Sequence, residues 1–200
     1  MTRTFKSVLS WIIPILIGFC VSMVVRKYFY QTIRVDGPSM SPTLKSSQHL
    51  PSLKNQKIKR GNVIVFNAYP EDPKLTAKKL YIKRVIGLPG DTVSSNNGKI
   101  YVNKHQINQN YLTSYQKIAT GNWNLKILAE ENSWRTTTNS YTVPKNKYFV
   151  LGDNRSISND SRYWGFVSND KIIGIVYVPF WGTKTQQKTV NDQKNIFFEG

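Results

Sequence analysis

Cysteine and histidine are nearly missing from this chain, and their scarcity closes off several chemistries at once. The single cysteine, Cys20, excludes an intrachain disulfide. Its place inside an apolar run also removes it as a thiolate nucleophile or metal ligand of a folded domain. The two histidines, His49 and His105, lie far apart, in polar contexts and without metal-ligand spacing, so no metal and no cofactor is expected. Acidic residues are scarce too: 11 stand against 28 Lys and Arg, giving a net charge of +17. The cations are scattered (Lys54, Lys57, Lys59, Arg60, Lys74, Lys78, Lys79), with no zinc-finger spacing and no basic region joined to heptads. Nucleic acid is therefore not the expected partner, and the field suits an anionic lipid or wall surface instead. Internal repeats are absent, and helical periodicity is missing beyond the first thirty residues.

What is present begins with a membrane-length run. Val8 to Val25 carries no charge and reaches about 27 Å as a helix, the thickness of a bilayer core. Its exit, Val-Ser-Met-Val-Val-Arg-Lys, lacks the small-x-small pattern of a cleavage site, so a retained signal anchor is expected. Arg3 and Lys6 on one side balance Arg26 and Lys27 on the other, and the charges alone do not orient it. The expected layout is a short N-terminal segment (1–7), the anchor (8–25), one domain (28–182) and a polar, frayed tail (183–200).

Within the domain, 40% apolar and 12% aromatic residues suffice for a core. Strands are expected at Tyr28–Val35, Val63–Phe66, Leu80–Gly87, Tyr148–Leu151 and Ile172–Trp181, with a hairpin turn at Asn96-Asn97-Gly98. Lys45–Lys59 reads as a loop with room for one short edge strand, and Ser156–Arg162 as a polar loop leading back to the core at Tyr163–Val167. Residues of about 94–145 read as a variable insertion, a small β subdomain or lid. The class is mainly β, preceded by one transmembrane helix.

Two features carry candidate chemistry. In Asp36-Gly37-Pro38-Ser39-Met40-Ser41-Pro42-Thr43-Leu44, the glycine and prolines fix a rigid turn with a serine in it. In Leu80–Gly87, alternation sets Tyr81, Lys83 and Val85 on one face and Ile82, Arg84 and Ile86 on the other, so each mainly apolar face holds one cation. A serine hydroxyl needs a base, and a lysine becomes one only if its pKa falls from about 10.4 by 2–3 units. Burial on an apolar face can supply that; a snorkelling lysine with a wet head is the alternative.

Four segments together resemble the type I signal peptidases, membrane-anchored serine–lysine proteases that release signal peptides, in their small Gram-positive form. They are Gly37–Leu44, Arg60–Phe66, Tyr81–Asp91 and Gly152–Gly165, in that order after an anchor. The resemblance implies an antiparallel β catalytic domain that cleaves exported preproteins after Ala-x-Ala. It implies Ser39 as nucleophile, its backbone N–H as oxyanion donor, Lys83 as general base and Ser158 as the hydroxyl orienting that base. It pairs Asp160 with Arg162 and Asp153 with Arg84. It sets Val35 and Ile82 in the small substrate pockets, with Ile33, Met40, Leu44 and Tyr81 also along the substrate. It implies an N-terminus in the cytoplasm, a catalytic domain outside the cell, and secreted preproteins, the lipid bilayer and the Sec translocon as company. The sequence departs from the pattern at Gly37, where some members carry a second oxyanion donor, and at Asn62, usually an aspartate. The competing expectation is a membrane-tethered binding or assembly module without catalysis.

Overall fold

The computed structural model describes residues 2–134 and 141–198. Helix α1 (Thr2–Tyr28) extends past both ends of the expected anchor and runs through Pro14. Its stretch Ser10–Tyr28 has mean hydropathy 1.6 and buries nothing against the rest of the chain. Among the described residues it is the one helix long and apolar enough to cross a membrane.

The body is an antiparallel sheet of seven strands, ordered β1 (Tyr30–Arg34), β2 (His49–Leu53), β11 (Ile172–Val176), β3 (Val63–Asn67), β4 (Leu80–Gly87), β9 (Lys147–Leu151) and β10 (Val167–Ser168). β3 and β4 are β-branched and apolar on both faces because both faces are covered. On one face Val63, Val65 and Ile82 join Ile33, Val35, Met40, Leu44, Leu50, Val176 and Val178. On the other, Ile64, Phe66 and Val85 pack with Tyr81, Val150 and Trp164. A side chain drawn into either cluster loses its water.

The insertion is a second sheet, ordered β7 (His105–Gln106), β6 (Lys99–Val102), β5 (Val93–Asn96) and β8 (Trp123–Asn124). Asn97 and Gly98 both take positive φ in the expected hairpin turn. The sheet is joined by α2 (Ser114–Ile118) and α3 (Leu125–Glu131), which were not expected. Five and seven residues are too short to show a helical period, and Thr113 and Asn124 start them by capping with their side chains. Val93, Ile100, Trp123 and Leu128 bury against Ile86, Phe149 and Leu151 of the main sheet.

Four other expectations need correction. β2 is an interior strand, with β1 at the edge; Pro51 is tolerated because the Tyr177 N–H still donates to its carbonyl (3.0 Å) where β11 ends. The last strand stops at Val176, leaving Phe180 and Trp181 exposed. The loop before Tyr163 contains the short helix α4 (Ser161–Trp164), capped by Asp160. The tail is not frayed. Helix α5 (Lys184–Gln186) continues as a π-helical turn, Gln187–Asp192, and Val190, Gln193 and Phe197 are buried.

Phe197 is 4% exposed in the cluster shared by both sheets, whereas its neighbour Phe198 is 45% exposed. Phe197→Ala is expected to cost about 3 kcal/mol in denaturant unfolding, and Phe198→Ala under about 1 kcal/mol. Equal, small effects would mean the tail contributes nothing.

Candidate active site

The chain leaves β1 at Arg34 and turns sharply. Val35 closes the base of the loop, donating to Gln48 O and accepting from Ser47 N–H, both at 2.8 Å. Gly37 has φ +75°, a region that disfavours a side chain and suits glycine at this point of the turn. Ser41 N–H donates to Pro38 O (3.0 Å) and Leu44 N–H to Met40 O (2.9 Å), so Ser39 stands inside a hydrogen-bonded double turn. The Ser39 carbonyl accepts from the Asn154 N–H (3.0 Å), while the Ser39 N–H has no partner among the described residues.

Lys83 comes to this turn from the centre of the sheet, where it pairs with Ile64 of β3. It is 3% exposed, and its Nζ donates to Ser39 Oγ at 2.9 Å. Burial pushes its pKa down to about 8; Asp160 and Asp153 pull the other way and Arg162 adds to the lowering. Snorkelling is therefore ruled out for this conformation, since the head is as dry as the stem. Tyr81 lies on the same face, with Nζ 5.1 Å from its ring centre, and its hydroxyl donates to Asp72 Oδ2 (2.8 Å). Burial, reinforced by Asp72, raises that hydroxyl to about 12, so it stays neutral.

The expected Ser158–Lys83 hydrogen bond is not made. Ser158 Oγ is buried without a partner among the described residues. It lies against Gly152, where a Cβ would collide with Ser158 and with the Ser39 carbonyl oxygen at 2.6 Å. Gly152 is thus the close-approach point that lets the two serines be neighbours.

Both expected ion pairs are present. Arg84 grips Asp153 with two bonds (2.9 and 2.7 Å), both side chains wholly buried, and spends its remaining donor on Gly61 O and Thr189 O. Arg162 grips Asp160 (2.9 and 3.0 Å) and also donates to Arg155 O. Asp160 in turn accepts from Gly152 N–H (3.0 Å), which fixes the loop beside Ser39. Burial alone would raise the Asp160 carboxyl, but the Arg162 guanidinium and that amide hold it below the usual carboxylate range.

Sequence reading missed the braces. Asn154 donates through Nδ2 to Pro38 O (3.3 Å) and accepts from Gln116 of α2 (3.0 Å). Arg155, buried, reaches Gly152 O, Thr120 Oγ1 and Tyr111 Oη. Asp72 links Tyr81 to Asn159 (2.6 Å). Asn154 and Arg155 stand inside a quoted motif, yet residue type does not say which backbone groups they reach. Asp72 and Gln116 carried no signal.

Ile33, Val35 and Ile82 close together in the apolar cluster, at 4%, 1% and 8% exposed. Met40 and Leu44 are buried as well, at 1% and 0%, and form the floor beneath the turn rather than a surface open to a substrate. At Asn62 the departure from aspartate resolves into a neutral hydrogen bond, accepted from Lys59 N–H (2.8 Å). His49 and His105 are both exposed.

A family model described as signal peptidase, peptidase S26, matches residues 8–181. Signal peptidase IB of Staphylococcus aureus (strain COL) is 36% identical over 180 residues, 88% of this chain and 91% of the relative. Signal peptidase I of Bacillus caldolyticus is 37% identical over 176 residues, 86% and 90% of the two chains. The crystal structure of a signal peptidase I from Enterococcus faecalis, 34% identical, covers 60% of this chain and 97% of its own at a TM-score of 0.49. With a match spanning the apolar helix, the Ser39 turn, β4 and the Asp153–Arg162 loop, the chain belongs to the signal peptidase family.

Proposed function

We propose that the chain is a membrane-anchored serine endopeptidase that removes signal peptides from exported preproteins, with Ser39 as nucleophile and Lys83 as general base. The observation carrying this reading is the 2.9 Å contact between Lys83 Nζ and Ser39 Oγ at a lysine only 3% exposed. A neutral amine there takes the hydroxyl proton as Oγ bonds to the scissile carbonyl carbon. The oxyanion formed is met by the Ser39 N–H, which has no partner among the described residues. The Lys83 ammonium then protonates the leaving amine, the C–N bond breaks, and an acyl-serine remains. Neutral again, Lys83 takes a proton from water as its oxygen bonds to the ester carbon. It then returns that proton to Ser39 Oγ as the ester C–O bond breaks, which frees the second product and restores the pair. Once Ser39 Oγ is bonded to the acyl group, Ser158, with its unused hydroxyl next door, is the group available to orient Lys83.

The substrate is read as an extended segment along β1 and the β4 residues Tyr81–Lys83, making main-chain hydrogen bonds. β1 supports this because it is the edge of the sheet. Ile33, Val35 and Ile82, which lie in one apolar cluster, are read as the walls of small substrate pockets, a reading that favours Ala-x-Ala. Helix α1 serves as the single-pass anchor, with the N-terminus in the cytoplasm and the domain outside, next to the lipid surface and the Sec translocon. No cofactor is invoked, since every proton transfer has a side chain of this chain to perform it.

Cleavage of an Ala-x-Ala preprotein by the detergent-solubilised chain tests the reading, with the cut site read by mass. Ser39→Ala and Lys83→Ala are each expected to lower kcat/KM by at least about a thousandfold, while His49→Ala and His105→Ala leave it unchanged. Full activity in Lys83→Ala would sink the dyad.

The pH profile follows from Lys83. With its pKa lowered to about 8, kcat/KM should rise about tenfold per unit below pH 7 and level off above about 8. A flat profile down to pH 5 excludes a lysine base.

The same shift predicts a stability effect. Carrying the ammonium into the fold costs on the order of 3 kcal/mol, from a drop of 10.5 to about 8. Below the folded pKa the cost is borne in full. Between 8 and 10.5 the unfolded chain still binds the proton and the folded one does not, so folding stability rises with pH across that window. Lys83→Met is therefore expected to be inactive yet more stable than the parent by about 1–3 kcal/mol at pH 7, an advantage that shrinks from pH 8 to 10.5. Equal unfolding midpoints at pH 7 would show that Lys83 is solvated.

A further inference from the structure

We propose that Gln186 is a positioning residue for the Ser39 turn, the contact point of a clasp formed by the C-terminal segment 183–197. The proposal rests on the reading of Ser39 and Lys83 as the reacting pair. It begins from the finding that residues expected to fray are instead built into the fold around that pair.

The side-chain amide of Gln186 makes three hydrogen bonds to the loop that carries Ser39. Its Nε2 donates to Thr43 O (3.2 Å) and to Gln48 Oε1 (3.1 Å), and its Oε1 accepts from Gln48 Nε2 (3.3 Å). Thr43 lies four residues after Ser39, inside the double turn. Gln48 is at the loop's base, where its carbonyl accepts from Val35 and its side chain from Lys45 N–H (3.3 Å). One amide thus ties the crown of the loop to its base. The Thr43 hydroxyl is buried and unpaired, so Thr43 meets the tail through its carbonyl.

The rest of the segment holds that amide in place and reaches the other reactive group's neighbour. Thr183 Oγ1 accepts the Gln186 N–H (3.2 Å), starting α5 at the required point. Thr189 O accepts from Arg84 Nη1 (2.9 Å), one residue from Lys83 in β4. Val190, 1% exposed, packs in the cluster with Met40 and Leu44, the floor of the turn. Asn191 exchanges two hydrogen bonds with Val178 (3.0 and 2.8 Å) at the end of the sheet. The segment therefore touches both the turn that holds the hydroxyl and the strand that holds the amine.

Position matters here because reaction needs Oγ within reach of a carbonyl carbon and of Nζ together. Misplacement of about 1 Å can cost on the order of a hundredfold in rate. Gln186 is a side chain that joins Thr43 to Gln48 from outside the sheet, so losing its bonds should loosen the turn without unfolding the sheet.

The test uses the full chain in detergent with Gln186→Met, which keeps length but makes no such bonds, and Gln186→Glu, which retains the acceptor for Gln48 but no donor for Thr43. Amide hydrogen exchange at Ser41 and Leu44 is read against the β3 amides, and kcat and KM are measured on a preprotein across pH. The expected result for Gln186→Met is exchange about tenfold faster at the turn with β3 unaltered. Its kcat should fall about three- to tenfold, with KM and the acid-limb midpoint near 8 unchanged. Gln186→Glu should follow Met if the Thr43 bond positions the turn. Unchanged turn exchange, unchanged kcat, a change in KM alone, or acceleration spread equally over β3 would each overturn the proposal. If neither parent nor variant cleaves, the peptidase reading fails, while the exchange data still decide the clasp.

Discussion

The 2.9 Å contact between Lys83 Nζ and Ser39 Oγ exists only because a lysine has been drawn into the middle of a sheet. β4 has neighbours on both sides and packed side chains on both faces, so its residues from Ile82 to Gly87 are dry. Desolvation then does two things to Lys83. It brings the amine's pKa near the range where a neutral base is populated, and it leaves the nitrogen with few partners other than the serine. The fold is destabilised by this arrangement, in keeping with the general expectation that reactive groups are held against their own preference.

Around that dry amine the structure spends its scarce acids. Asp153 and Asp160 both lie close enough to raise the Lys83 pKa, and unpaired they would work against the base. Each is instead gripped by its own arginine with two bonds, Arg84 and Arg162. A buried pair of this kind contributes little net stability, because desolvation offsets attraction. Its effect is geometric: Asp160 also holds the Gly152 N–H, and Gly152 sits between Ser39 and Ser158. Arg84 likewise ties β4 to Gly61 and to the tail. The ion pairs fix the frame in which one amine and one hydroxyl meet.

The turn and the strands that frame this candidate site are legible in the sequence, and the reason is physical. A rigid turn needs Gly and Pro, a buried strand needs β-branched residues on both faces, and a lysine inside such a strand contradicts its surroundings. Those signals are local, and the Ser39 turn, β3, β4 and the Asn97-Gly98 hairpin appear where the pattern put them. What stayed illegible is held by contacts distant in sequence. The tail is polar in composition, but three side chains, Val190, Gln193 and Phe197, bury it. β2 contains a proline and reads as an edge, yet β11 arrives over a hundred residues later to cover it. Helices α2 and α3 are shorter than the period that would reveal them. Ser158 shows the other limit, for a motif assigns its hydroxyl a partner while the backbone sets it against Gly152.

The charge of the chain divides between a balanced interior and a cationic surface. Of the 11 acidic residues, Asp72, Asp91, Asp153 and Asp160 are buried, and each is engaged by a guanidinium, a phenol or an amide. Lys83, Arg84, Arg155 and Arg162 are buried too, so the formal charges of the interior balance and the +17 excess falls to the rest of the chain. Lys57, Lys59 and Lys194 are among the exposed cations, and the half-buried Lys54 donates to Lys27 O (3.1 Å) where α1 gives way to β1. In the proposed reading that end of the domain faces the lipid surface, where anionic headgroups attract it. Because the interior balances its own charges, the frame around Lys83 is built without drawing on the surface excess, and that excess is left whole to hold the domain close to the membrane.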